Sequence, residues 1–425
     1  MAIDRRKFFT SALVGGLVAA VPQISYCSNE VGSVRGNTKL PHDYAKLDKI
    51  LAQPVLKKEL FKSPVTIKSL ELLRYKNNFL CRVRSADGAQ GMSVGNGLQL
   101  RSLYPIFINR LQPFFIGKDA RNLDTLLEEV YVYDSNYKLQ SVALWVPLAT
   151  IEFAILDMLG QISGKSIGQL IGEIHNKKVA VYSANSDRNI SVEETMERIH
   201  KQVEDSKAKA IKLKIGGRMT HPEFPAGRTE KLLKTVRETY GNEMILYADS
   251  NGSYAAEDAI RIGRIMEEYK YDFLEEPVPF DWYEETRQVA GALSIPIAGG
   301  EQEGSLHAFR WLIANDALQI VQPDMFYFGG MIRSMKVARM AAAFGKVCTP
   351  HITGDALGYL YMMHFISAIP NAGPYHEFKG FELDVPVTCK TSSLKTEDGL
   401  FKVPVGPGLG VDIEPAFLKK HKVIR

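Results

Sequence analysis

Cysteine is scarce in this sequence, and the cysteines form no group. Cys27, Cys81, Cys348 and Cys389 show no CxxC spacing, which argues against a cysteine-ligated metal site and against a disulfide scaffold. A surplus of positive charge is also lacking, because the formal net charge is only +4 over 425 residues. The basic residues are dispersed, so we predict no nucleic-acid-binding surface. No glycine-rich phosphate loop opens a predicted helix, which argues against a nucleotide-binding fold.

The N-terminal segment 1–30 has the composition of an export signal. A twin arginine, Arg5 and Arg6, precedes an apolar run from Ala12 to Val21. This run is shorter than a typical membrane-spanning helix. The paired arginines resemble the twin-arginine signal of bacteria. The sequence therefore predicts export to the periplasm or the cell envelope. An uncleaved anchor is the alternative, and Cys27 is a candidate for lipid attachment. We expect no other contact with a membrane.

A β-hairpin is predicted in the stretch "FLCRVRSADGAQGMSVG", where the turn dipeptide Asp87-Gly88 separates two alternating runs. The end of this stretch, at 91–95, matches the GxSxG elbow of serine hydrolases. That elbow requires a strand followed at once by a helix, and we expect no helix start in the following "NGLQL". We therefore do not assign Ser93 as a nucleophile.

Alternating strands and helices dominate the rest of the chain. In "LATIEFAILDMLGQISG", apolar residues at three- and four-residue steps predict one apolar helix face; they are Ile151, Ile155, Met158 and Ile162. From Val179 onward, short apolar segments alternate with helical stretches. The segments are VAVYSAN, AIKLKIG, MILYADSN, DFLEEPV, IPIAGGE, LQIVQPD, VCTPHI and YHEF. Eight such strands predict a parallel sheet closed into an α/β barrel.

Three acidic residues stand at the ends of successive predicted strands. Asp249, Glu275 and Glu301 follow one another at equal intervals along the chain. One strand-helix unit of a barrel takes about such an interval, so the carboxylates should meet at the C-terminal mouth. Three buried carboxylates repel one another unless a hard cation binds them. Oxygen ligands alone favour Mg²⁺ over zinc, with Mn²⁺ as the alternative ion. Separate local salt bridges are the competing interpretation.

The next strand ends carry a candidate base. Asp324 and His351 are separated by nearly the same interval, and Glu377 follows after one more. A carboxylate that hydrogen-bonds one imidazole nitrogen orients the ring and raises its basicity. We therefore predict an Asp324–His351 dyad. For Glu377 two interpretations stay open, a hydrogen-bond donor at the mouth or a surface acid.

Two lysines share one face of a strand in "KAIKLKIGG". Lys212 and Lys214 are separated by a single residue, so both side chains project to the same side. A buried pair of ammonium groups needs anions opposite, which a bound carboxylate substrate and the acidic residues supply. We predict that Lys212 neutralises charge on the substrate carboxylate and that Lys214 is a base. With His351 on the other side, the site suits removal of a proton next to a carboxylate, with the enediolate stabilised by metal and lysine.

Six motifs in chain order, "KLK", "ADSNG", "FLEEP", "GGE", "QPD" and "TPH", resemble the mandelate racemase subgroup of the enolase superfamily (the mandelate racemase/muconate lactonizing enzyme family). The resemblance extends from about Val65 to Asp412. It implies a modified (β/α)7β TIM-type barrel under an N-terminal α+β capping domain. It also implies a set of site roles: Asp249, Glu275 and Glu301 as metal ligands, Lys214 and the His351–Asp324 dyad as bases, Lys212 as carboxylate ligand, Glu377 as the acid on the last strand, and Asn251 as a substrate contact.

On this resemblance we expect an export signal at 1–30, the capping domain at 31–175, the barrel at 176–383, and a C-terminal segment at 384–425 that returns to the capping domain. The sixth strand carries no lysine, unlike that of muconate-lactonizing enzymes and dipeptide epimerases. Most members of the family with the His-Asp dyad dehydrate sugar acids, so the expected reaction is Mg²⁺-dependent dehydration of a sugar acid to a 2-keto-3-deoxy acid. A racemase, epimerase or cycloisomerase is the alternative, and a non-catalytic exported binding protein is a remote one. Arg101, in the capping loop that selects substrates in relatives, is a candidate substrate contact. We expect a small-molecule carboxylate as the substrate and a homo-oligomer.

Overall fold

The structure is a computed structural model that describes residues 44–353, 356–378 and 385–425. The predicted export signal at 1–30 and Cys27 lie outside the described residues. The chain from His42 to Arg425 forms one compact unit, so contacts alone do not divide it at residue 175.

The helices are α1 (Tyr44–Leu51), α2 (Gly97–Ile106), α3 (Gln112–Phe115), α4 (Leu123–Val132), α5 (Val142–Ser163), α6 (Ile167–Ile171), α7 (Val192–Ser206), α8 (Arg228–Tyr240), α9 (Ala256–Glu268), α10 (Tyr283–Ala292), α11 (Leu306–Ala314), α12 (Met331–Ala343), α13 (Ala356–Ser367) and α14 (Pro415–Leu418). The strands are β1 (Ile67–Tyr75), β2 (Asn78–Ser85), β3 (Gln90–Val94), β4 (Lys178–Ala184), β5 (Ala210–Lys214), β6 (Ile245–Asp249), β7 (Phe273–Glu275), β8 (Ile297–Gly299), β9 (Ile320–Val321), β10 (Val347–Cys348), β11 (His376–Phe378), β12 (Val387–Thr388), β13 (Thr396–Glu397), β14 (Leu400–Lys402), β15 (Asp412–Ile413) and β16 (Lys422–Val423).

The N-terminal sheet contains the predicted hairpin. Strands β2 and β3 pair in antiparallel fashion, and Gly88 in their connection has a φ of +89°. Glycine adopts this left-handed conformation without the steric cost that a side chain would add. The sheet order is β16-β1-β2-β3, so the last strand of the chain completes a sheet that the first strands begin.

The barrel consists of eight strands, β4 to β11, with α7 to α13 as the helices between them in the described residues. Strands β4 to β10 pair in parallel in chain order, and β11 pairs in parallel with β4. Hydrogen bonds from Cys348 N to Asn371 O and from Gly373 N to Cys348 O connect β10 to the segment before β11. These contacts close the sheet, which confirms the predicted modified (β/α)7β barrel.

Helix α5 packs differently from the predicted one-sided helix. It is long and apolar enough to cross a membrane by length and composition, but 89% of its most apolar window is buried inside the protein. Every residue from Leu144 to Gly160 is buried, whereas Ile162 is 41% exposed. The expectation of a single apolar face was therefore wrong, because the helix is a core element that contacts β2, β3 and α2 on several sides.

The serine of the GxSxG match has a structural role and is not placed as a nucleophile. Ser93 is buried on β3, and its hydroxyl donates to the Thr150 carbonyl oxygen at 2.6 Å. The expectation that no helix begins in "NGLQL" was wrong, because α2 begins at Gly97. Asn96 caps this helix, accepting a hydrogen bond from Gln99 N at 3.1 Å. Asparagine is a favoured N-cap residue, so the start signal was present in the sequence.

Aromatic side chains fill the barrel interior below the mouth. The rings of Tyr247 and Phe273 are stacked with centroids 3.9 Å apart, and Tyr182 meets Tyr247 edge-on at 5.5 Å. The Lys212 ammonium lies 5.3 Å from the Tyr182 ring centroid. The aromatic layer therefore forms the floor on which the polar residues of the mouth rest.

Candidate active site

Strand register places the first polar groups in one row. Lys214 on β5 pairs with Asp249 on β6, and Asp249 pairs with Glu275 on β7. Because paired residues in parallel strands stand at one height, these three side chains project together at the C-terminal ends of their strands. Glu301 joins them from the turn that follows β8. All three predicted ligand residues are buried, and one oxygen from each lies within 4.8 Å of the others.

This carboxylate triad suits a hard divalent cation. Burial raises the pKa of Glu275 to about 7, and the neighbouring charges of Asp249 and Glu301 add to that rise. A cation at their common focus removes this electrostatic cost, and three carboxylate oxygens are the donor type that Mg²⁺ and Ca²⁺ take. Within the described part of the chain, the buried Oε2 of Glu301 accepts no hydrogen bond, although His351 Nε2 lies 3.3 Å from it. The triad therefore could hold a metal ion.

Lys212 lies beneath the triad. Its ammonium nitrogen is 2.8 Å from both carboxylate oxygens of Glu275 and 3.4 Å from Oε2 of Glu377. Burial disfavours the charged ammonium, but these two carboxylates outweigh it and hold the pKa of Lys212 well above its usual range. The lysine is only 1% exposed, so it is a fixed positive charge under the mouth.

Lys214 stands at the mouth on one flank of the triad. Its ammonium group contacts Asp249 Oδ2 and donates to Asn251 Oδ1 at 3.1 Å. Burial opposes the charged carboxylate of Asp249, but the two lysines outweigh it and lower the pKa of this carboxyl. Asn251 Oδ1 also accepts from Arg188 Nη2 at 2.9 Å. Two cations thus fix the oxygen side of this amide, and the amide in turn orients the Lys214 amine.

His351 stands on the other flank, and the predicted dyad is present. Nδ1 of His351 lies 2.7 Å from Asp324 Oδ2, and Nε2 lies 3.3 Å from Glu301 Oε2. Burial lowers the pKa of His351, but Glu301, Glu377 and Asp324 outweigh it and raise the value to about 9. In strand order Lys214 precedes the triad and His351 follows it, so one basic group lies on each side.

Glu377 is a buried residue of the site, not a surface acid. It lies in the middle of β11 at 1% exposure. Its Oε2 is 3.4 Å from the Lys212 ammonium nitrogen and 3.6 Å from His351 Nε2. Because β11 pairs with β4 across the barrel from the triad, this carboxyl joins the lysine on the second strand to the histidine after the seventh.

A cavity of about 460 Å³ opens above these groups. Residues from both flanks and from the triad line it, including Lys214, Asn251, Glu276, Glu301, His351 and Thr353. The structure does not bring Arg101 into this cavity. Arg101 is exposed on α2, because its neighbour Leu100 occupies the buried face of that helix. The capping region reaches the mouth instead through Asn96, whose side-chain amide is 3.4 Å from the Thr353 hydroxyl.

Three further residues shape the site without having been predicted. Gln322 Nε2 donates to Glu275 Oε2 at 2.9 Å, Arg188 Nη2 donates to the Asp249 carbonyl oxygen at 3.2 Å, and Glu276 Oε2 accepts from Asn251 at 3.1 Å. Gln322 stands two residues before Asp324, and side chains two residues apart in an extended segment point the same way. The sequence therefore did indicate that Gln322 shares a side with Asp324. Glu276 is visible as the second glutamate of "EEP". For Arg188, in a loop, the sequence offers no such signal.

Comparison with known proteins gives consistent matches. The family described as Enolase C-terminal domain-like matches residues 194–417. The arabinonate dehydratase of Saccharolobus solfataricus is 25% identical over 348 residues, covering 80% of this chain and 89% of that protein. The D-galactarolactone cycloisomerase of Agrobacterium fabrum is 26% identical over 319 residues, covering 73% and 82%. The fold is also that of a mandelate racemase/muconate lactonizing protein from Paracoccus denitrificans solved with magnesium (TM-score 0.76, 24% identity, covering 85% of this chain and 99% of that one).

Proposed function

Because the chain belongs to the Enolase C-terminal domain-like family, we propose that it is a magnesium-dependent enzyme that removes the α-proton of a sugar acid and dehydrates the acid to a 2-keto-3-deoxy acid. One observation carries this proposal. A buried triad of carboxylates has a basic residue on each flank, Lys214 and His351, and both bases line one cavity with Glu301.

Asp249, Glu275 and Glu301 would hold the magnesium ion. Bound there, the ion would supply positive charge that favours the enediolate over the substrate carboxylate. Lys212 adds a second, permanent positive charge beneath the same point, because its pKa is held high by Glu275 and Glu377. Charge placed where the transition state becomes more negative accelerates the reaction more than it tightens substrate binding.

Proton transfer falls to the two flanking residues. A lysine or histidine takes the α-proton only from the face of the substrate that it reaches, so Lys214 and His351 serve opposite faces. In a dehydration one residue takes the proton, and a protonated partner gives one to the departing β-hydroxyl. His351 suits the acid role, because Glu301, Glu377 and Asp324 outweigh the effect of burial and favour its protonated form. Lys214, oriented by Asn251, then takes the α-proton.

Isomerisation is the second candidate. It is supported by the same pair of bases, since one could remove a proton and the other return it to the opposite face. A relative named as a cycloisomerase adds to this support, whereas a relative named as a dehydratase favours loss of water. The two outcomes differ in their products, so one assay separates them.

The test is a panel of acid sugars incubated with the enzyme and MgCl₂ in D₂O. Dehydration yields a 2-keto acid, and isomerisation yields an α-deuterated acid with all its oxygen retained. Lys214→Ala and His351→Asn should each reduce product formation by at least about 100-fold. Lys234→Ala and His307→Asn remove the same residue types from exposed helix positions and should leave the rate unchanged. Full activity in both site variants would refute the assignment of the bases.

We also propose that the protein is exported through the twin-arginine segment and works as a homo-oligomer in the periplasm or cell envelope. Support for export comes from Arg5, Arg6 and the short apolar run that follows. Replacing both arginines by lysine should leave the protein in the cytoplasm, which cell fractionation detects. Light scattering of the purified protein measures its oligomeric state.

A further inference from the structure

We propose that Arg218 binds a second carboxylate, at the end of the substrate away from the metal site, so that the substrate is a sugar diacid. This inference rests on the proposed function and specifies its substrate class. It concerns a residue in the loop after β5.

Arg218 lines the same cavity as Lys214 and His351. Among the described residues its guanidinium forms no ion pair, whereas Lys214 contacts Asp249 and Lys212 contacts Glu275. Glu276 and Glu301 line this cavity too, but neither lies within ion-pair distance of Arg218. A positive charge therefore remains available to a bound ligand.

The loop that carries Arg218 is held in a fixed and costly conformation. Arg218, Met219 and Thr220 have φ values of +77°, +47° and +61°, a left-handed conformation that is unfavourable for residues with a side chain. Three hydrogen bonds secure the run: Arg218 N to Ser253 Oγ at 2.7 Å, Met219 N to Asn251 O at 2.9 Å, and Thr220 N to Gly252 O at 2.8 Å.

These bonds tie the loop to residues of the site. The acceptors lie in the segment that follows metal-ligand residue Asp249, and Asn251 itself orients Lys214. The position of the Arg218 backbone is therefore coupled to the position of the reacting groups. Strain of this kind persists where the surrounding structure enforces it, and it is concentrated at functional sites. The Arg218 side chain is exposed, so a ligand in the cavity can reach its guanidinium group while these bonds hold its backbone in place.

The chemistry of the cavity wall fits a carboxylate. The guanidinium group offers a planar fork of donors that matches a carboxylate in two parallel hydrogen bonds. Met219 and Phe280 line the same cavity. The cavity volume, about 460 Å³, is within the usual range for small-ligand sites. A six-carbon acid with a carboxylate at each end would place one beneath the bases and the other at Arg218.

The test measures binding, not turnover. Three matched pairs are titrated calorimetrically into the Lys214→Ala variant with MgCl₂: glucarate with gluconate, galactarate with galactonate, and mannarate with mannonate. We expect at least one diacid to bind about 10- to 100-fold tighter than its monoacid, the size expected for hydrogen bonds to a charged group. Adding Arg218→Gln should reduce this preference to near 1. Arg287→Gln, an exposed arginine on α10, is the matched control and should keep it.

The outcomes separate this inference from the proposed function. Equal affinity for diacids and monoacids, an undiminished preference after Arg218→Gln, or binding of none of the six acids would overturn the role of Arg218. A preference that depends on Arg218 would support it even if the wild-type enzyme dehydrated nothing. Dehydration of monoacids alone would keep the proposed function and overturn the diacid assignment.

Discussion

Asp324→Asn is the substitution that most directly probes the dyad. The two oxygens of Asp324 have different partners. Oδ1 accepts from the backbone N–H groups of Phe326 and Tyr327, both at 2.7 Å, whereas Oδ2 faces His351 Nδ1, also at 2.7 Å. An asparagine keeps its oxygen toward the two N–H donors, because the reverse orientation sets donors against donors. The first orientation is favoured over the reverse one by two backbone hydrogen bonds, worth about 1 kcal/mol each, and by the avoided cost of leaving the two N–H groups without an acceptor.

The amide NH₂ of the asparagine then points at His351 Nδ1. Nδ1 has to become an acceptor, and the ring proton moves to Nε2, the nitrogen that faces Glu301 and the cavity. A histidine in that tautomer cannot accept a proton at Nε2, and without the aspartate charge its protonated form is also less favoured. General acid-base catalysis is worth roughly 10²- to 10⁴-fold, so we expect kcat to fall by that factor while KM changes little.

The assay is the initial rate of 2-keto acid formation, or of α-deuterium incorporation, at saturating MgCl₂. Thr353→Val is the matched comparison, because the Thr353 hydroxyl donates to the same Asp324 oxygen at 3.1 Å without setting the tautomer. We expect it to cost less than about 10-fold, the loss of one ordinary hydrogen bond. Activity of Asp324→Asn within threefold of the wild type would show that Asp324 does not set the tautomer and charge of His351.

Three other predictions concern the metal and the stability of the fold. MgCl₂ at 100 times its dissociation constant should stabilise the wild-type protein by about 2.7 kcal/mol, seen as a higher Tm, and Glu301→Gln should abolish most of that shift. Glu152 is fully buried and accepts from Met331 N and Ile332 N, and burial raises its pKa to about 8. Between pH 4.5 and pH 8 the folded protein therefore keeps a proton that the unfolded chain loses, so the free energy of unfolding falls as pH rises, by at most about 1.4 kcal/mol per unit. Urea denaturation should show this slope in the wild type and a flatter one in Glu152→Gln. Gly330→Ala places a Cβ atom onto the Glu152 carboxylate at a φ of +110°, so we expect a loss of about 2–5 kcal/mol from overpacking and backbone strain. Gly345 has a φ of +69°, but no atom lies near the position of an added Cβ. Gly345→Ala should therefore lower the free energy of unfolding through backbone strain alone.

The barrel could be predicted because its repeating strand-helix unit is visible in the sequence. Short apolar segments recur with helices between them, and the polar residues at their ends recur at a nearly constant interval. From that spacing alone we predicted that Asp249, Glu275 and Glu301 converge at one point. The resemblance to the enolase superfamily is confirmed by the match over 194–417, and it agrees with the spacing argument.

Other features depend on tertiary contacts that periodicity does not encode. The apolar steps in α5 predicted one buried face, but packing against several neighbours buries most of the helix. Arg101 looked like a mouth residue because its loop does reach the mouth, yet the helix that begins at Gly97 turns its side chain outward. Arg188 enters the site from a loop, and its guanidinium group donates to the Ile215 and Asp249 backbone oxygens. Loop paths of this kind follow from the assembled fold and not from local pattern.

The aromatic layer under Lys212 also affects how substrate enters and product leaves. Tyr182, Tyr247 and Phe273 pack against one another beneath Lys212, so in the described part of the chain the barrel interior on the far side of the cavity is filled. Substrate, departing water and keto acid would then exchange through the mouth, and a bound product would block the next substrate molecule. We therefore expect substitutions at the rim of the cavity to change the rate of product release more than substitutions in the aromatic layer.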